Sequence, residues 1–252
     1  TSARHIGTSS LFFNRQKFPE ANDRRVRLAI AHAINREQIA KTVLGGLCEP
    51  ATGPFTPGTF GYLDGLPRIP YDPEKAKALL REAGVPAGYP VTYALHTESF
   101  GSLPNAPQVL EAVAGNLEAA GFKVVREPYE TGAILAMFRS GKQSAIFYGP
   151  SSIPDDGGET INGWYASWAV WSTGNAKNPE YDKIFQEQLQ ISDPAERVKV
   201  LQRFAKLESE QLESVPLFWC DSPIAVGARV KTLRPGLGSD YHFNLREMEL
   251  AE

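Results

Sequence analysis

VTYALHTESFGSLPNAPQVLEAVAGNLEAAGFKVVREPYETGAILAMFRSGKQSAIFYGPSSIPDD, running from Val91 to Asp156, is the stretch that decides the fold. It opens on Val91-Thr92-Tyr93-Ala94-Leu95, a short β-branched and aromatic run bounded by Pro90, which reads as a strand. Val109, Leu110, Val113, Leu117 and Ala120 then recur at three- and four-residue steps, the spacing of one helical face, and Gly121 stands where a helix would stop. Phe122-Lys123-Val124-Val125 reads as a second strand. Ala133, Ile134, Met137 and Phe138 form a short amphipathic helix closed by Gly141, and Ala145-Ile146-Phe147-Tyr148 reads as a third strand.

The rhythm β-α-β-α-β requires a crossover at each step, so the expected fold is α/β, with a central, mostly parallel βαβαβ sheet flanked by helices. Parallel strands direct their carboxyl ends at one edge, and open α/β sheets bind ligands in the crevice beyond that edge. The loops expected there are His96 to Asn105 and Gly149 to Gly158. The second is rich in glycine, proline and serine and carries the paired acids Asp155 and Asp156, which makes it the first candidate for a ligand-facing loop, with Tyr148 at its root.

Outward from this unit, the N-terminal side holds a short strand at Leu11-Phe12-Phe13-Asn14 and a helix capped by Asp23. That helix has a broad buried face of Val26, Leu28, Ala29, Ile30, Ala33 and Ile34 and a basic face of Arg24, Arg25 and Arg27 expected to be solvated. Asn35 begins a second helix three residues before Gln38. Residues 49–70 are too broken by proline and glycine for regular structure, and a loop of this length is usually functional or wrapped on a surface. Asp72-Pro73, Asn178-Pro179 and Asp193-Pro194 repeat one helix-start signal, a capping side chain followed by a proline whose lost N–H is harmless there. Trp164, Trp168 and Trp171 fall at i, i+4 and i+7, so they are expected to share one helical face; such stripes are usually core, but this one follows the candidate loop and can offer rings to a ligand. Val215 to Trp219 and Ile224 to Val226 read as strands, and the tail from Arg229 has little periodicity.

Composition bounds the class. The 252 residues, 42% of them hydrophobic, suit a globular chain of one large or two small domains. A formal charge of -3 argues against a nucleic-acid partner, which needs clustered Lys and Arg to displace counterions. No apolar run approaches membrane-spanning length, and Thr1 suits a processed or excised piece. Cys48 and Cys220 have no metal-ligand spacing and stand either as a disulfide or as two buried thiols. No cofactor, metal or catalytic constellation is expected: the sequence has no Gly-x-Ser-x-Gly elbow, no phosphate-cradling Gly-x-x-x-x-Gly-Lys and no His pair at ligand spacing, and His5, His32, His96 and His242 are scattered. His32, inside an apolar helix, reads as a packed or hydrogen-bonded side chain.

Three motifs carry a resemblance. Phe13-Asn14 followed by Asp23-Arg24-Arg25-Val26-Arg27-Leu28-Ala29 and Ala33-Ile34-Asn35-Arg36, then Tyr71-Asp72-Pro73-Glu74 through Ala83-Gly84, then Asn175, Asn178-Pro179-Glu180-Tyr181-Asp182 and Arg197, together resemble the extracellular solute-binding proteins of ABC importers, family 5. That resemblance implies a periplasmic-binding-protein-like lobe of class II, cluster C type, within longer proteins of two lobes that close on a solute. It divides the chain into a hinge segment over 1–22, a second lobe over 23–214, and return strands and tail over 215–252 normally associated with the first lobe. It also implies a non-catalytic binder of a peptide-like or oligosaccharide-like solute, partnered by the absent N-terminal lobe and the ABC transporter permease subunits, periplasmic or extracellular, and anchored to the membrane as a lipoprotein through the absent N-terminus. Where the family often has Gly-Trp followed by an Asp that meets a peptide's amino terminus, this chain has Gly149-Pro150 and later acids, which weakens a peptide reading. Asp155 or Asp156 can still take an ammonium, and the tryptophans can stack on a sugar. The same fold used as the sensing domain of a transcriptional regulator is the alternative, and an α/β hydrolase-like enzyme stands behind both.

Overall fold

The computed structural model describes residues 2–3, 7–99, 103–152, 156–169, 171, 177–223, 227–232 and 249–250. The three expected strands form as β4 (Tyr89–His96), β5 (Phe122–Tyr129) and β6 (Ile146–Ser152), joined by α4 (Ala106–Ala119) and α5 (Thr131–Ser140). β4 pairs parallel with β5 from Tyr89↔Phe122 to His96↔Tyr129, and parallel with β6 at Tyr93↔Ile146.

The sheet is larger than this unit. With β2 (Thr8–Phe13), β3 (Cys48–Pro50) and β7 (Val215–Cys220) its order is β3-β7-β2-β6-β4-β5. The added strands pair antiparallel, β2 with β6 and β7, and β3 with β7. The expectation of a mostly parallel sheet is therefore corrected: it holds for the βαβαβ unit alone. Crossover helices impose parallel pairing only on the strands they connect, and β2 and β7 arrive from opposite ends of the chain with no such constraint. Cys48 and Cys220 face each other in the β3–β7 register and form a disulfide, so they are not two buried thiols. Two short pairs complete the description, β1 (Ser2–Ala3) with β8 (Ser222–Pro223) and β9 (Val230–Thr232) with β10 (Glu249–Leu250). The strand expected over 224–226 and the tail over 233–248 lie outside the described residues.

Strand alternation divides the core into two layers. Leu11, Phe13, Tyr93, Ile146 and Tyr148 face one side and pack under α1 (Arg24–Ala33), α3 (Pro73–Glu82) and α4 through Val26, Ile30, Leu80, Val109, Leu110, Val113 and Leu117. Phe12, Ala94 and Phe147, the intervening residues, face the other side. There they meet α5, α7 (Pro179–Leu189) and α8 (Pro194–Gln211) through Ile134, Phe138, Tyr181, Ile184, Leu201 and Phe204. Full burial of each such aliphatic or phenyl side chain is worth roughly 1.5–3 kcal/mol.

The helix starts follow the capping logic. Asp23, Asp72, Asn178 and Asp193 each accept a hydrogen bond from a first-turn amide, and Asn35 does the same for α2 (Arg36–Thr42). One basic residue departs from expectation. Arg27 is only 3% exposed and donates to the carbonyls of Ala21, Asn22, Gln211 and Leu212 at 2.7–2.9 Å, so it is a buried staple and not part of a solvated face. A planar fork with five donors can satisfy several orphaned helix-end carbonyls at once, a role that charge patterning does not reveal. His32 is hydrogen-bonded as expected, its Nδ1 lying 2.8 Å from the Pro70 carbonyl.

After β3, residues 51–70 form a strap across the second layer. Phe55 packs on Phe204, and Gln202 donates to the Tyr62 carbonyl at 3.0 Å. Gly61 is held at φ +101, where an added Cβ would lie 2.5 Å from the Leu201 Cβ, so only glycine lets the strap sit this close to α8.

Candidate functional site

The connections that leave β4 and β6 run over opposite layers. α4 carries the chain from β4 to β5 over the first layer, whereas the chain leaving β6 passes through α7 and α8 over the second on its way to β7. Between β4 and β6 the connections therefore diverge, and this is the topological switch point at which an open α/β sheet offers a crevice beyond its carboxyl ends. His96 ends β4 there, its ring edge-on to Tyr148 with centroids 5.1 Å apart. Burial holds the His96 imidazole down to about 4, so it is neutral near pH 7. Beyond it the Thr97 amide donates to the Tyr129 carbonyl at 3.0 Å and the Thr131 hydroxyl to Glu98 at 2.7 Å. These bonds tie the loop after β4 to the start of α5. Thr97, Glu98 and Ser99 stand exposed at this rim.

The six residues singled out as ligand-facing separate in the structure. Tyr148 is fully buried in the first layer. Asp155 lies outside the described residues. Asp156 is committed within the protein. It caps the short helix α6 (Gly157–Thr160) by accepting from the Gly158 amide at 2.8 Å, and it takes a two-pronged ion pair from Arg197 at 2.7 and 2.8 Å. The guanidinium is itself fixed by Gln188 at 2.8 Å and lies 5.1 Å from the Phe60 ring centroid. Bidentate pairing leaves the carboxylate little capacity for a ligand ammonium. The segment read as a loop from Gly149 to Gly158 is also corrected: residues 149–152 continue β6, extended by pairing with β2, and α6 begins at Gly157.

The tryptophans do not share one helical face. Trp164 belongs to a π-helical turn, Ile161–Tyr165, which ends where Ala166 turns to extended backbone. Trp164 lies flat on β6 above Gly149, where a Cβ would come within 2.5 Å of its ring, and stacks on Phe12 at 4.8 Å. Trp171 returns to stack on Trp164 at 6.5 Å. These two rings belong to the second layer. Trp168 stands apart, 46% exposed, with its indole N–H donated to Asn162 at 2.7 Å and its ring at the edge of Phe185, 5.6 Å away. An indole whose polar atom is used and whose orientation is set, with its face open, is a ready stacking surface. Nothing in the local sequence marks the Asp156–Arg197 pair, because its two members stand 41 positions apart with no spacing signal to join them.

Among the described residues no group of three or more His, Cys, Asp and Glu is placed to hold a metal ion, and no helix is long and apolar enough to cross a membrane.

Comparison with known proteins gives this geometry its context. The family model described as bacterial extracellular solute-binding proteins, family 5 middle, matches residues 2–172. A di/tripeptide-binding protein of Pseudomonas aeruginosa is 30% identical over 202 residues, 78% of this chain and 37% of the relative. A glutathione-binding protein of Escherichia coli is 29% identical over 203 residues, 77% of this chain and 38% of the relative. The solved structure of a periplasmic binding protein from Helicobacter pylori in complex with the peptide STSA superposes with a TM-score of 0.84 at 24% identity. It covers 100% of this chain and 49% of that one, and it shares the fold. The chain thus spans well under two thirds of the relatives it matches.

Proposed function

Since the chain belongs to the family 5 bacterial extracellular solute-binding proteins, we propose that it forms one lobe of a two-lobed receptor that delivers a solute to an ABC importer. The observation that carries this reading is the match over residues 2–172 by a family of solute binders, together with a fold that has its switch point at the carboxyl edge of β4 and β6. The solute sits in the crevice beyond that edge and a second lobe covers it, so that ligand stabilises the closed form by touching both walls. β2 and β7, within 1–22 and 215–252, are strands of this lobe's own sheet, and the segments beyond them lead to and from the second lobe; permease subunits of the importer are the downstream partners, in an extracytoplasmic compartment. No reaction is required of any residue.

Peptide-like solutes are favoured by the relatives named for di/tripeptides and glutathione. Within the chain, Asp156 serves the lobe and not the ligand, and Trp168 offers a ring surface suited to an apolar side chain, a peptide plane or a sugar face. The sensor and hydrolase readings have no observation in their favour.

The test is a thermal-shift screen of a two-lobed protein containing this chain against di- to pentapeptides, glutathione and oligosaccharides, repeated on the chain alone. A ligand at a hundred times its Kd stabilises the native state by about 2.7 kcal/mol. The expected result is a shift in the two-lobed protein that largely vanishes in the chain. Shifts of equal size in both would overturn the closure mechanism.

A further inference from the structure

We propose that Glu208 is a proton-binding site that latches the end of α8 to the entry of β7, so that loss of one proton loosens the point where this central strand joins the lobe. Glu208 lies in the last turn of α8, 1% exposed. One carboxyl oxygen accepts from the Tyr181 hydroxyl on α7 at 2.5 Å. The other accepts from the Ser214 amide at 2.8 Å and the Ser214 hydroxyl at 2.9 Å. Ser214 immediately precedes β7, and its hydroxyl also lies 2.9 Å from the Tyr165 hydroxyl on the π-helical turn. A single carboxyl group therefore joins α7 and α8, and through Ser214 the π-helical turn and β7.

The three donors from Tyr181 and Ser214 favour the carboxylate, but burial and charge outweigh them and favour the neutral form. Glu208 sits at the negative end of an 18-residue helix, where the macrodipole opposes a second negative charge. Among the described residues no cation pairs with it directly. Arg15 and Arg27, the nearby cations, are taken by the neighbouring Glu213, and Arg27 donates besides to the Gln211 and Leu212 carbonyls. Arg36, which lines the same small cleft as Glu208, donates to the carbonyls of Ala31, Ile69 and Pro216. Tyr165 and Tyr181 complete the facing titratable groups, and burial raises the Tyr181 phenol well above its ordinary value, so it stays protonated. Burial first, and then the Glu213 charge, push the Glu208 carboxyl up to about 7 from an ordinary 4.5.

The sign follows from linkage. A carboxyl whose pKa is raised on folding contributes stability that is complete below the unfolded value and is lost as pH climbs from about 4.5 toward 7. Deprotonation leaves a charge without a paired cation at the α8–β7 corner, and the least costly relief is to open that corner to water. The proposal concerns the lobe itself and stands whatever solute the protein binds.

The experiment is urea unfolding of the chain and of Glu208→Gln at half-unit steps from pH 5 to 8. It is accompanied by hydrogen exchange at the amides of Ser214 to Cys220, corrected for the intrinsic pH dependence of exchange. The ratio of the two unfolding constants is expected to change by roughly tenfold per pH unit between about 5 and 7 and then level off. Ser214 and Val215 should lose protection with rising pH in the wild type and keep it in Glu208→Gln. Should Glu208→Gln not fold, Tyr181→Phe keeps the carboxyl but removes a donor to its charged form, and it should move the midpoint of the pH response upward by half a unit or more. A constant ratio, or a midpoint that Tyr181→Phe leaves in place, would overturn the proposal.

Discussion

The two faces of the sheet are covered by different means, and the first buries more side chains than the second. The first layer is built from α1, α3 and α4, regular helices rich in Ala, Val, Leu and Ile such as Ala29, Val109, Val113 and Ala114. The second is aromatic and irregular. Phe12, Phe138, Trp164 and Trp171 stack around a π-helical turn, the strap over 51–70 is clamped onto α8, and polar groups such as Asp156, Arg197 and Glu208 are used inside it. The first face is a scaffold of regular helices, whereas Trp168, the Asp156–Arg197 clasp and Glu208 all lie on the second, where the strap and the π-helical turn interrupt that regularity.

The largest expected effect asks whether the two layers are one cooperative unit. Phe204→Ala on the second face should cost about 3–5 kcal/mol and Leu110→Ala on the first about 2–5 kcal/mol. Far-ultraviolet circular dichroism and tryptophan fluorescence should report a single coincident transition for each. Separate transitions would mean that the aromatic face melts by itself.

A pH effect of similar size sets two buried groups against each other. His96, buried between β4 and β6, is lowered by burial from 6.5 to about 4, so its contribution is present above 6.5 and is lost as pH falls toward 4. Glu208 has the opposite sign over an overlapping window. In a Glu208→Gln background stability should fall on acidification below pH 6.5, by up to roughly tenfold in the unfolding constant per pH unit, whereas in the wild type the two partly cancel. Identical acid profiles in both proteins would contradict this opposition.

Glycines sharpen the contrast further. Gly61 on the strap has both a positive φ and Leu201 in the way, so Gly61→Ala should destabilise by about 1–3 kcal/mol. Gly115, inside α4, has open space where a Cβ would go, so Gly115→Ala should stabilise by about 0.5–1 kcal/mol. Chemical denaturation of the two variants checks both signs. The smallest effect is expected at Trp168. Trp168→Ala should change stability by only about 0.5 kcal/mol, because the ring is largely exposed, while weakening solute binding in the two-lobed protein.

The same contrast explains how much was legible in the sequence. The βαβαβ unit could be read because Val109, Leu110, Val113 and Leu117 keep a helical period and Gly121 and Gly141 stop its two helices, while caps such as Asp72 and Asp193 announce helices outside it. The antiparallel partners could not, since Leu11 on β2 pairs with Val215 on β7, 204 residues away, and nothing local fixes that pairing. The tryptophan spacing misled for a physical reason. Residues seven apart are brought together both by two turns of helix and by a π turn that doubles back, and only the second leaves Trp168 outside while Trp164 and Trp171 stack. Asp156 was found as a functional-looking acid, but its partner Arg197 lies on another helix and converts it into a clasp.

The most direct test of the central claim is backbone amide chemical-shift mapping on the two-lobed protein, with the solute that the screen identifies. If the solute meets this lobe at the carboxyl edge of the parallel strands, the perturbed amides of this chain should cluster at residues 97–99 and 130–132, with the Trp168 indole shifted as well. Perturbations confined to the opposite pole, around Lys77, Arg81 and Phe122, would contradict the account and place binding at the amino ends of the strands.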